Sequence, residues 1–353
     1  GQNQKLPIVW TLRYDAITND QFANSIVLPR KQTLGILLEV TPELASKSGV
    51  LYKGGEFKDD WKEARNIFLV GYTQAERKKL IDTVFTAFYE RFRYYPLVTA
   101  SWMIDSWSLQ YISHNFGVKL HEITKEQYET DDYTLYGGIF NEPYYPSLTH
   151  PLIPDVYGND SLGLILVRQT VSDIEQNYGS YASLFTSQPN DYLSQPMADI
   201  NYFKELLANA KSQEGVNIFA LLGLENSNEW RSFKDEFLKQ LQYISDQELA
   251  GEIVTYTPRD YIKKFTATEA NKNVKFLKST KFPSDGVLWY FGDTYRALLE
   301  LRLDKIVLRD LRVFPQHLTD PYMDMPAKAS RAYIEVPYII DSSQQFVVNS
   351  QNT

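Results

Sequence analysis

Short apolar runs recur along the first three quarters of the chain. Each is closed by turn residues and followed by a stretch with helical spacing, the pattern of strand-helix alternation about a parallel sheet. The runs fall at residues 8–14, 34–40, 66–70, 97–104, 118–123, 162–167, 217–224 and 252–256. Most are continuous rather than alternating, as expected of strands covered on both faces. Between them, residues 73–92 set Leu80, Ile81, Val84, Phe85, Phe88 and Phe92 at three- and four-residue spacing, which predicts one helix with a broad apolar face. A second helix is predicted from about Glu229 to Ile244, capped by Ser227 and turning Phe233, Phe237, Leu241 and Ile244 inward. A third begins at Thr257-Pro258-Arg259-Asp260, with proline at its first position and an acid in its first turn. Seven or eight such units predict an α/β fold: a distorted (β/α) barrel of about seven strands.

The rhythm breaks between about Glu126 and Asp160. There Thr130-Asp131-Asp132-Tyr133-Thr134-Leu135-Tyr136-Gly137-Gly138 and Pro143-Tyr144-Tyr145-Pro146-Ser147 make a long connection. A loop of that length inside a compact domain is usually functional, and its tyrosines argue against disorder. After about Thr266 the runs become strand-like, at residues 274–277, 287–291, 305–313 and 332–340, with no long helix between them. Two units are therefore expected, a barrel over residues 1–266 and a smaller β-rich unit over residues 267–353.

Composition narrows the chemistry. The 353 residues are 43% apolar and 23% charged, an ordinary globular profile. With 36 basic and 44 acidic residues the net charge is −8, and no basic run offers a face for phosphates, so nucleic acid is not an expected partner. There is no cysteine, which excludes disulfides, thiolate catalysis and cysteine-ligated metals. A thiol-free chain of this length suits an oxidising compartment, and the expected location is extracytoplasmic, secreted or at the cell surface. The apolar runs are far shorter than the roughly 20 residues that span a bilayer, so no membrane span is expected. The opening Gly1-Gln2-Asn3-Gln4-Lys5 lacks an initiator Met and a signal-peptide core. It reads as a trimmed start whose targeting segment, if there was one, has been removed.

Active sites of parallel-stranded barrels lie at the carboxyl ends of the strands, so acids that terminate an apolar run are the candidates. Asp15, Glu39, Asp105 and Glu225 qualify. Glycoside hydrolysis needs two carboxyl groups across one bond, and Asp15, Asp105 and Glu225 could supply them; each could equally be a helix cap or one half of a structural ion pair. Sugar rings lie against aromatic faces, and the chain carries 25 Tyr, 19 Phe and 6 Trp. Arg13, Glu39, Trp102, Tyr136, Tyr144 and Tyr145 are the candidate substrate-binding residues, with Trp107 and Tyr133 near the same rim. His114, His121, His150 and His317 show no metal-ligand spacing, so neither a metal nor another cofactor is expected. Gly54-Gly55 and Gly137-Gly138 lack the context of a phosphate loop, and no serine nucleophile elbow is present.

The first strand and its terminal acid, Trp10-Thr11-Leu12-Arg13-Tyr14-Asp15, resemble the opening motif of the glycoside hydrolase/deacetylase β/α-barrel superfamily, which includes NodB-type polysaccharide deacetylases and family 57 glycoside hydrolases. The resemblance implies a distorted seven-stranded barrel over residues 1 to about 266, with Glu225 in Gly223-Leu224-Glu225-Asn226 as a late strand-end acid. It also implies a metal held by two adjacent aspartates and a His-[Ser/Thr]-x-x-His pair. Here Asp15 is followed by Ala16, and Ser101-Trp102-Met103-Ile104-Asp105-Ser106 stands where the histidine pair would be. The departure favours a metal-independent glycoside hydrolase acting on a polysaccharide or oligosaccharide. The alternatives are a non-catalytic glycan- or protein-binding surface module and a divergent polysaccharide deacetylase. Separation of the carboxyl groups discriminates: a pair open to one cleft favours hydrolysis, and acids locked by Arg13, Arg168, Arg309 or Arg312 favour binding.

Overall fold

The computed structural model describes residues 6–25, 31–55, 63–156, 162–211, 222, 230–267, 275–279, 285–302, 305–341 and 346–349. The chain opens with β1 (Ile8–Leu12), α1 (Tyr14–Thr18), α2 (Asp20–Ser25), β2 (Gln32–Leu37), α3 (Pro42–Lys47), α4 (Ala64–Ile67) and α5 (Gln74–Phe92). It continues through β3 (Val98–Ala100), α6 (Ser106–Phe116), β4 (Leu120–Ile123), β5 (Gln127–Thr130), β6 (Tyr133–Tyr136) and β7 (Ile165–Arg168). The helices α7 (Pro189–Tyr192), α8 (Ile200–Lys211), α9 (Trp230–Leu249) and α10 (Pro258–Ala267) follow. The last stretch is all strand: β8 (Lys275–Lys278), β9 (Gly286–Phe291), β10 (Tyr295–Arg302), β11 (Lys305–Val313), β12 (Ala332–Glu335), β13 (Tyr338–Ile340) and β14 (Phe346–Asn349).

Five strands form a parallel sheet in the order β1-β2-β3-β4-β7. Neighbours follow chain order, as along the arc of a barrel and unlike a doubly wound sheet, where the order reverses. No pairing among the described residues joins β7 back to β1. Close approach fixes one residue of the arc: a Cβ on Gly35 of β2 would lie 2.7 Å from the Val98 carbonyl oxygen.

Two of the expected strands are absent. Residues 66–70 fold as the end of α4 and a 3-10 turn over Leu69–Gly71, buried against α5, where Arg77 Nε donates to the carbonyls of Leu69 and Tyr72. Residues 252–256 have no regular structure before α10. The run at 217–224 lies outside the described residues except for Leu222, as does the predicted cap Ser227.

The helix expected over 73–92 is α5. Thr73 and Glu76 form a reciprocal capping box, Leu80, Ile81, Val84, Phe85 and Phe88 are buried, and Arg93 ends the helix in the left-handed conformation at φ 64°. With α6 it covers one face of the sheet, which contributes Leu34, Ile36 and Ile123 to the larger core. The other face carries Val98, Leu120, Ile165 and Val167, packed against Phe265 of α10.

On β4 this division sets His121 on the helix-covered face, fully buried between Thr99 Oγ1 (2.8 Å from Nδ1) and Ser101 Oγ (3.1 Å from Nε2). Burial lowers its pKa from 6.5 to about 3, and that of His150 to about 4. Both rings stay neutral in the fold and charge freely once unfolded, so stability, complete above about pH 6.5, falls as pH drops towards 4. The expected decline is a few kcal/mol at 1.36 kcal/mol per unit, and it is shallower in His121→Gln; thermal unfolding across a pH series measures it.

The C-terminal strands build an antiparallel sheet, β13-β11-β10-β9-β8, with β14 also on β11. Their chain returns to the first part of the molecule. β12 runs parallel to β6, and Trp289 and Phe291 meet Phe140 edge-on at 4.9 and 5.2 Å within the same larger core. The segment after β11 straps the amino ends of α5 and α6, through Asp320 on the Ser106 N–H (2.8 Å) and the Tyr322 carbonyl on Arg77 (2.7 Å).

Candidate functional site

The carboxyl edge of the parallel sheet gathers Arg13 after β1, Glu39 after β2 and Trp102 after β3. Arg13 Nε and Nη2 donate to both carboxylate oxygens of Asp15 at 2.8 and 2.7 Å, and Nη1 reaches Glu39 Oε2 at 3.5 Å. That contact holds the Asp15 carboxyl below its ordinary range, and the two acids together raise the already high pKa of Arg13. Arg13 and Asp15 are partly exposed, whereas Glu39 is buried between Leu38 and Val40, both in the larger core. Trp102 is half-buried against the same core.

On β4, alternation turns Glu122 to the face opposite His121, the face shared with Leu120. Its register neighbours are Ala100 on β3 and Val167 on β7, small or apolar on either side. Glu122 keeps partial solvent exposure although protein surrounds its carboxyl densely. It makes no hydrogen bond or ion pair with a described residue. Burial pushes it up to about 8, with no charge among the described residues contributing. A carboxyl protonated at neutral pH and reachable by solvent can donate a proton. Sequence reading passed over Glu122 because it lies inside a run taken as continuous strand; the signal was an acid flanked by Leu120 and Ile123 in an element covered on both faces.

Asp105 occupies a different environment. It is the N-cap of α6, fully buried, and accepts from Ser108 N–H (2.9 Å), Ser108 Oγ (2.7 Å) and Arg77 Nη1 (2.8 Å). With its oxygens engaged inside the core it acts as a cap and ion-pair partner. Asp105→Asn is expected to weaken the fold by about 2–3 kcal/mol, through loss of the charged bond to Arg77, while leaving any hydrolysis per folded molecule unchanged; urea unfolding and a glycan assay read the two parts.

Of the proposed aromatic rim, Tyr136 and Tyr144 are interior. Tyr136 lies between Arg296 and Arg312, whose guanidinium carbons stand 5.0 and 4.5 Å from the ring centre, and its hydroxyl accepts from Gly179 N–H. The Tyr144 hydroxyl donates to the Pro151 carbonyl at 2.8 Å. Tyr133 is also buried, edge-on to Phe68. A tyrosine-rich loop packs inward here because the β-rich unit lies over it. Tyr145 stays half-exposed against Phe265, on the Glu122 side of the sheet. Glu225 lies outside the described residues. Thus Arg13, Asp15 and Glu39 come together, Asp105 is held apart in the core, and Glu122 joins the candidates.

A solved structure shares this architecture. Over 96% of this chain and 80% of the other, it is similar to the crystal structure of a "putative glycoside hydrolase/deacetylase" from Parabacteroides distasonis, with a TM-score of 0.63 and 12% identity. At that identity the likeness is one of fold. No family model and no curated protein matches the chain.

The metal site that the resemblance implies does not fit the residues present. Asp15 is followed by Ala16 in place of a second acid and is occupied by Arg13, His121 is sealed between two hydroxyls, and among the described residues no three His, Cys, Asp or Glu side chains are arranged to hold a metal. Nor is any helix of the described residues long and apolar enough to cross a membrane.

Proposed function

We propose that the protein is carbohydrate-active, a glycoside hydrolase that needs no metal, with Glu122 as proton donor and Glu39 as the base. The observation that carries this reading is the Glu122 carboxyl, raised by burial and without a partner among the described residues, on the same parallel sheet as an arginine-paired acid cluster in which Asp15 is held low: two carboxyl environments pushed apart in proton affinity, as acid-base hydrolysis requires. Glu122 gives its proton to the glycosidic oxygen as that bond breaks. Glu39 takes a proton from the water that adds to the sugar carbon. By register Glu122 is level with Leu37, so Glu39 stands two strands across and two residues further along; this reading requires the two side chains to lean towards each other until the carboxyl groups are about 6.5–9.5 Å apart, the separation that leaves room for this water and inverts the anomeric centre. Asp15 tunes Arg13, which binds substrate with Trp102 and Tyr145; Glu225, outside the described residues, is a further candidate acid. The sheet-bearing unit, residues 1–266, carries the chemistry, residues 267–353 cover it, and the protein works outside the cytoplasm on polysaccharide or oligosaccharide.

The test is reducing-end release from a panel of oligosaccharides, with the product anomer read by NMR. Cleavage by the wild type that is lost in Glu122→Gln and Glu39→Gln, both folded, is expected. Equal cleavage by both variants overturns the assignment. A second reading, a glycan-binding module without turnover, draws support from the arginines that hold Asp15 and Asp105; binding to the panel without cleavage favours it.

A further inference from the structure

The antiparallel sheet points both apolar side chains (Val287, Trp289, Phe291 and Leu298) and charged ones inward. Its inward positions on β10 and β11 include Arg296, Glu300, Asp310 and Arg312, all buried. Its outward positions are largely apolar and partly exposed: Leu288, Leu299 and Leu308 form one row across β9, β10 and β11, continued by Lys278 on β8, and Tyr290, Ala297 and Leu311 form the next. An antiparallel sheet with one face in water normally alternates apolar-in and polar-out. None of the six apolar side chains belongs to a hydrophobic core of the described residues or packs against one. At the margins Phe276, Tyr295 and Ile306 are 49%, 39% and 44% exposed. A contiguous apolar surface of this size marks an interaction site.

We propose that this face is the interface between two copies of the chain. Five strands side by side span about 25 Å, and the seven residue levels from Gly286 to Gly292, four of them facing outward, span about 20 Å, so each copy offers roughly 500 Å² of flat area. Two copies bury about 1,000 Å² before any contact from flanking loops, the lower limit for a biological interface. A two-fold axis near Leu299 sets the face against itself, sheet on sheet with strands within about 30°, and supplies the second layer that a β-sandwich needs. The buried ion network on the inward side stays where it is.

Sedimentation equilibrium of the full chain from about 1 to 100 µM tests this. The wild type is expected to sediment as a particle of twice 40.9 kDa. Leu299→Glu, which would oppose two like charges at the axis, is expected to weaken association at least 100-fold. Should Leu299→Glu lose its fold by circular dichroism, Leu299→Thr, which suits a strand, is expected to keep the fold and weaken association about 10-fold. A wild type that stays monomeric at 100 µM overturns the proposal, including the case where another partner covers the face. So does a dimer that the folded Leu299 variants leave intact.

Discussion

Glu122→Gln is expected to stabilise the fold above pH 8 while removing any turnover. The wild-type carboxyl binds its proton more tightly folded than unfolded, with a rise from 4.5 to about 8. Its contribution to stability is therefore fully present below about pH 4.5, declines as pH climbs through about 8, and stays lost above. At 1.36 kcal/mol per unit the whole shift is worth roughly 5 kcal/mol, and partial solvent contact brings the expected gain of the amide at pH 9 to about 3 kcal/mol. The amide keeps the shape and is blind to pH over this range. Urea unfolding at pH 5 and pH 9 should show a large advantage for the variant only at the higher pH; equal differences at both would mean the carboxyl is not perturbed. Glutamine cannot give up a proton to a leaving oxygen, so hydrolysis should fall by about 10²–10⁴. A residue that weakens the fold in its charged form and is reachable by solvent behaves as a functional group rather than a structural one.

Sequence patterning carried the parallel sheet and its helices well, for reasons that are local. The strand at 8–12 and the capping box at Thr73 rest on adjacent residues, so neighbours in sequence suffice to specify them. The run at 66–70 misled because four consecutive apolar residues, Ile67 to Val70, suit a buried turn as well as a strand, and only Arg77, seven to ten positions after them, decides between them. The strand β10 went unseen because its alternation puts Arg296 and Glu300 inward, which reads as a solvent-facing pattern. On β11 the irregularity opposite Leu298 and Leu299 shifts the alternation by one residue, placing Arg309 between two phases. The site suffered likewise. Asp105 ends an apolar run as a catalytic acid would, and an N-cap has the same signature. Tyr136 has the look of a rim aromatic until two arginines, 160 and 176 positions away, are seen to stack on it.

Those distant arginines set the largest expected loss of stability. Arg296→Ala is expected to lower stability by at least about 4 kcal/mol. Its guanidinium is fully buried, with Nε 3.0 Å from Asp310 Oδ1 and Nη1 3.0 Å from Glu126 Oε2 and 2.7 Å from the Gly138 carbonyl. Breaking one buried pair by removing a partner typically costs 3–5 kcal/mol, and here two carboxylates lose a donor at once. Each keeps a second arginine, Arg168 for Glu126 and Arg312 for Asp310, which limits the loss to less than twice that figure. Arg296→Lys retains the charge without the planar fork, so it should recover less than half. Arg296→Met combined with Asp310→Leu removes one cation and one anion together and should cost less than Arg296→Ala alone, because replacing a buried pair by apolar side chains is often close to neutral. The network joins the loop at Glu126 to β10 and β11, and Trp289 and Phe140 share one core around it. The parallel sheet and the β-rich unit should therefore unfold in a single transition, and Arg296→Ala should either shift that transition as a whole or split it in two. Differential scanning calorimetry distinguishes these outcomes from a third, an unshifted transition, which would mean that the buried charges contribute nothing to joining the two parts.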